Sequence, residues 1–85
     1  MSYIDEYLTL LDRYPKQRLE ILLGLGNFCY NHNLYVKAEK YYLEALYVSP
    51  NFAKTNEYLA WLYGYWFDHD RLARTYAEKS LIIDP

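Results

Sequence analysis

The stretch Leu22–Pro50, LLGLGNFCYNHNLYVKAEKYYLEALYVSP, holds two apolar stripes separated by a short polar run. In its first half Leu22, Leu25, Gly26 and Cys29 recur at spacings of three and four, which places them on one face of a helix. Asn31-His32-Asn33 interrupts that face. A second stripe then runs through Ala38, Tyr42, Ala45 and Leu46 until Ser49-Pro50 closes it. The stretch therefore reads as one helical hairpin, and the rest of the chain partly repeats it.

The repeat is visible in the prolines, which stand only at Pro15, Pro50 and Pro85, 35 residues apart each time. The residues before them align as well: Tyr3 with Ala38 and Ala73, Leu10 with Ala45 and Ser80, Leu11 with Leu46 and Leu81. Self-similarity near this period marks a solenoid, in which each unit buries its apolar face only by stacking on the next. The order Leu22-x2-Leu25-Gly26-x2-Cys29, Ala38-x3-Tyr42-x2-Ala45, Pro50 resembles the tetratricopeptide repeat (TPR) family, with Leu22 for the family's Trp and Cys29 for its Tyr. The resemblance implies an all-α, TPR-like helical-hairpin solenoid of five antiparallel helices in a single domain. Residues 1–15 would be an N-terminal helix resembling the second half of a repeat, and residues 16–50 and 51–85 would be two full repeats.

Composition bounds what such a chain can do. Its 85 residues suffice for one small domain with a modest core. Nine basic residues against 11 acidic ones leave a net charge of −2, which offers nucleic acid no general attraction. The lone Cys29 rules out an intrachain disulfide, and no basic-then-apolar leader opens the chain, so a cytoplasmic location is expected. The longest uncharged stretch, Ile21 to Val36, has 16 residues, and Tyr58 to Phe67 has 10, against roughly 20 for a membrane helix. Twelve Tyr, three Phe and two Trp beside only three Gly and three Pro suit close-packed helices whose tyrosines fill the spaces between them.

Along the chain, Ser2 and Asp5 form a capping box for a helix over residues 3–14, which Pro15 ends and which would serve as a cap. A helix over residues 17–30 would carry Leu19, Leu22, Leu25, Gly26 and Cys29 inward. After a turn in which asparagine takes the left-handed conformation, Tyr35 to Val48 makes its partner. Ser49 is expected to cap the next helix, residues 51–66, with Pro50 in its first turn. That helix sets Asn56, Leu59, Ala60 and Tyr63 against Leu22, Leu25, Gly26 and Cys29 at a register of 34. Reaching Ala73 needs 35, so one residue is inserted around Gly64 to Asp70. Residues 71–83 form the last helix, with Asp70 as its cap and with Leu81 and Ile82 partly uncovered. A chain ending so is expected to be an excerpt of a longer array, a unit completed by self-association, or one whose partner covers that end.

The sequence carries little chemistry. Gly24-Leu25-Gly26 follows no strand and lacks the third glycine of a phosphate loop. His32, His69 and Cys29 are the only soft metal ligands, and they occupy two turns and a packing face rather than one tetrahedral cluster. Asp68-His69-Asp70 falls at a turn and cap. No serine or cysteine has a recognisable base, so neither an enzyme nor a cofactor or metal protein is expected. A pentatricopeptide RNA-binding array shares the spacing of 35, but the proline setting and balanced charge fit it poorly.

A binding surface remains. The resemblance to TPR proteins implies that the first helix of each repeat lines a concave groove for a partner's peptide. Leu23, Asn27, Tyr30 and Asn31 lie beside the packing stripe of the first such helix, and Glu57, Trp61, Gly64 and Tyr65 answer to them in the second, flanked by Lys54 and Tyr58. Some TPR domains clamp a partner's C-terminal carboxylate with lysines, arginine and asparagines. Asn27 matches one clamp position, but Leu23 replaces a clamp Lys and Tyr58 a clamp Asn, which disfavours that ligand. The expected function is a non-enzymatic protein-interaction module of adaptor, scaffold or chaperone type. It would hold an apolar or proline-containing segment on Trp61, Tyr58 and Tyr65, with Asn27 and Asn31 bonding its backbone. The alternative is a structural repeat module, native or engineered, that self-associates through Leu81 and Ile82.

Overall fold

A computed structural model describes residues 2–84. Among them there is no strand; the chain folds as α1 (Tyr3–Arg13), α2 (Arg18–Asn31), α3 (Tyr35–Val48), α4 (Ala53–Trp61) and α5 (Asp70–Ile83). A 3-10 turn, Pro15–Gln17, precedes α2, and a π-helical turn, Leu62–Trp66, extends α4.

The ends of the helices follow from local chemistry. Ser2 and Asp5 make both bonds of the capping box: the Asp5 N–H donates to Ser2 Oγ at 3.2 Å and the Ser2 N–H to Asp5 Oδ2 at 3.4 Å. The residue before proline avoids helical geometry, so α1 stops at Arg13 and Pro15–Gln17 tightens into the 3-10 turn, which moves the start of α2 to Arg18. Between α2 and α3, Asn33 takes the left-handed conformation at φ 63°. Asp68 does the same before α5 at φ 51°. Both residue types tolerate that region because a short polar side chain can bond locally.

Two expected caps are corrected. Ser49 does not cap α4; it closes α3, its N–H donating to Ala45 O at 3.0 Å, and Pro50 lies in the turn rather than in the helix. Helix α4 starts at Ala53, and the buried Asn56 reaches back from within it, Nδ2 donating to Phe52 O at 3.0 Å and to Pro50 O at 3.4 Å. At α5 the cap is His69, whose Nδ1 accepts from the Leu72 N–H at 3.4 Å, and Asp70 is the first helical residue.

The single helix expected over residues 51–66 is also corrected. Its last turn is π-helical, with the Phe67 N–H donating to Leu62 O at 3.2 Å and the His69 N–H to Tyr63 O at 2.8 Å. The left-handed residues Asn33 and Asp68 are 35 apart, while the buried Cys29 and Tyr63 are 34 apart. The extra residue therefore falls between Tyr63 and Asp68, where the wider π turn absorbs it without shifting the helix on either side.

Consecutive helices run antiparallel. Tyr3 meets Phe28 while Tyr7 lies over Gly24; Tyr30 meets Tyr35 while Gly26 lies under Tyr42. Tyr42 stacks on Tyr58 while Tyr63 donates to Glu39 Oε2 at 2.7 Å, and Ser80 Oγ donates to Ala53 O at 3.2 Å while Gly64 faces Ala73. The core consists of Leu22, Leu25 and Cys29 from α2, Ala38, Tyr41, Tyr42 and Ala45 from α3, and Leu59, Leu62 and Tyr63 beyond them. The stripes read from the spacing are thus the buried ones, with Leu19 and Leu46 half-buried at their margins. Helix α1 buries no residue fully and covers the first hairpin with Ile4, Tyr7 and Leu11. No helix among the described residues is long and apolar enough to cross a membrane.

Candidate functional site

Asn27, Tyr30 and Asn31 fall three and four apart near the end of α2 and so share a face. Tyr58 and Trp61 share one on α4, and Tyr42 rises from α3 between the two. These six side chains line a depression of about 270 Å³. None carries a charge at neutral pH.

The depression has a braced floor. Gly26 lets the Tyr42 ring lie against the α2 backbone, and the ring's hydroxyl donates to Asn27 Oδ1 at 2.6 Å. Tyr58 stacks on Tyr42 with ring centres 5.4 Å apart. Burial, and then the neighbouring Tyr58, Tyr30 and Cys29, push the Tyr42 hydroxyl well above the usual phenol range, which keeps it a neutral donor. One wall is tied down from the π turn: Trp66 Nε1 donates to the Tyr30 hydroxyl at 2.7 Å, and the Trp66 ring stacks on Tyr35 at 4.2 Å. Trp61 stands half exposed at the rim, with 50% of its surface in solvent.

Of the residues the sequence singles out for a groove, Asn27, Tyr30, Asn31, Tyr58 and Trp61 come together here. Leu23 is half-buried against the core instead. Lys54 lines a second depression, between α4 and α5, and pairs with Glu57 across one helical turn at 3.5 Å. Tyr65 is 78% exposed and outside the lining, because the π turn breaks the spacing that would have stacked it above Trp61. Tyr42 is the residue that sequence reasoning assigned to packing alone. The signal for it was Gly26, which leaves room for a ring that reaches Asn27.

The second depression, of about 360 Å³, includes Ala53, Ala60, Trp61, Ala77, Ser80 and Leu81 in its lining. Beside it Leu81 is 64% and Ile82 81% exposed. Elsewhere, no three His, Cys, Asp or Glu side chains among the described residues are grouped as ligands of a metal would be. Cys29 is buried, and desolvation pushes its thiol up against a smaller opposing effect of Lys37, which disfavours the reactive thiolate. No protein-family model, curated protein or solved structure matches the chain.

Proposed function

We propose that this chain is a non-enzymatic protein-interaction module, a helical-hairpin solenoid of tetratricopeptide type acting as an adaptor or scaffold in the cytoplasm. It holds an extended, uncharged segment of a partner against Asn27, Tyr30, Asn31, Tyr42, Tyr58 and Trp61. Antiparallel helices packed on their sequence neighbours, with left-handed turn residues 35 apart, support the solenoid. The observation that carries the function is the uncharged aromatic depression with Trp61 half exposed at its rim. Aromatic side chains held rigid beside a few polar groups are the composition of interface hot spots.

Selection of peptides from a displayed random library, repeated with Trp61→Ala, tests this. Peptides retained by the parent and lost by the variant are expected, with unchanged helical circular dichroism. Peptides retained equally by both overturn the reading.

Self-association through the α4–α5 end is the second reading, favoured by the exposure of Leu81 and Ile82 beside the second depression. Light scattering across a concentration series decides it. A mass that rises with concentration in the parent and stays monomeric in Leu81→Glu supports assembly, and a constant mass near 10 kDa rules it out.

A further inference from the structure

Helix α1 is held differently from the other four. It docks through one narrow stripe, Ile4, Tyr7 and Leu11, and each of the three is only half-buried. Its other side chains from Tyr3 to Arg13 are exposed. Tyr3 and Tyr7 meet Phe28 with ring centres 5.4 and 6.4 Å apart, and the Tyr7 ring lies over Gly24. Even there the fit is open, since a depression of about 490 Å³ separates Tyr3 and Ile4 from Phe28. Among the described residues no hydrogen bond or ion pair joins α1 to another helix; Ser2, Asp5 and Thr9 bond only within it. Helix α5 also buries no residue fully, yet it is tied on by other means. Ser80 Oγ donates to Ala53 O at 3.2 Å, the His69 N–H donates to Tyr63 O at 2.8 Å, and Tyr76 stacks on Tyr63 at 5.7 Å.

From these contacts we infer that α1 is a releasable strap, which leaves α2 as one unit while the rest of the fold stays closed. The core belongs entirely to α2, α3, α4 and the π turn, so none of its members departs with α1. Once released, the strap melts, because 11 residues are too few to hold a helix in water without a packed face. Pro15 marks the boundary: α1 ends before it, and the 3-10 turn that leads into α2 bonds back to Tyr14. Melting α1 therefore leaves the hydrogen bonds of α2 intact. What the strap uncovers is Gly24 and Phe28, on the helix whose Asn27 and Asn31 line the groove. Release thus changes the apolar surface that α2 presents without opening the core, and it stands apart from the groove reading. Regions with few buried apolar contacts are the ones that open below the cost of global unfolding.

Native-state hydrogen exchange of the full chain tests this, read amide by amide in water and in urea below the unfolding transition. The amides of Tyr7 to Arg13 are expected to share one protection factor, roughly 30-fold or more below those of Leu25 and Tyr42, with a shallower dependence on urea. Tyr7→Ala, which removes the ring over Gly24, should lower that shared factor by a further tenfold, roughly. Protection of α1 equal to that of α2 and α3, falling with urea at the same slope, overturns the inference, because α1 then opens only with the whole molecule. Protection graded residue by residue along α1 overturns it as well, since that is fraying rather than release as a unit. So does a Tyr7→Ala chain whose α1 is as well protected as the parent's.

Discussion

Gly26 is where one absent carbon shapes the groove. A Cβ built there would come within 2.5 Å of Tyr42 Cε1, and Tyr42 is almost fully buried and tied to Asn27, so the ring has little freedom to yield. At the positions 34 and 35 residues further on stand Ala60 and Ala77, both small. Gly26→Ala gains about 0.5–1 kcal/mol of helix propensity. It also incurs overpacking of about 1–3 kcal/mol. A net loss of up to about 2.5 kcal/mol is expected as a lower urea midpoint. Gly64→Ala is the control: its nearest neighbour would be Ala73 Cβ at 3.4 Å, an ordinary contact, and its midpoint should hold or rise.

Among the elements, the π turn at Leu62–Trp66 has the largest consequences. It takes up the residue by which the spacing lengthens from 34 to 35, and in doing so it swings Tyr65 into solvent and carries Trp66 back onto Tyr30 and Tyr35. The turn thus braces a groove wall that belongs to the preceding hairpin. Trp66→Ala removes a stacked aromatic pair and a hydrogen bond from a half-exposed site, for an expected loss of about 1–2 kcal/mol in stability. Denaturant unfolding reads this loss.

Over the whole molecule, two buried hydroxyls couple stability to pH. Burial pushes both Tyr42 and Tyr63 above the usual phenol range, and at Tyr63 the hydrogen bond to Glu39 and that residue's charge add to it. The unfolded chain loses these protons near pH ~10, while the folded chain still holds them. Above that pH the native state binds more protons than the unfolded state, so stability is full below about pH 10 and falls as pH rises past it. Unfolding free energies from pH 8 to 11 are expected to show this decline, and the double variant Tyr42→Phe/Tyr63→Phe should show a flatter one from a lower starting stability.

The helices, the inward stripes Leu22-Leu25-Gly26-Cys29 and Asn56-Leu59-Ala60-Tyr63, and the existence of one extra residue after Tyr63 were legible in the order of residues. These depend on spacing along the chain, and a period of 3.6 or 35 residues is written in order alone. That order also brought Asn27, Tyr30, Asn31, Tyr58 and Trp61 to notice as one surface. Folding in three dimensions was needed to show that the extra residue becomes a π turn, that His69 rather than Asp70 caps α5, and that Asn56 rather than Ser49 serves the turn before α4. The same holds for the removal of Leu23, Lys54 and Tyr65 from the groove lining and the entry of Tyr42. Each of these depends on which atoms from different helices come within a hydrogen bond or a ring contact of one another. Such distances are set by how helices settle against each other, and periodicity along one helix carries no record of them.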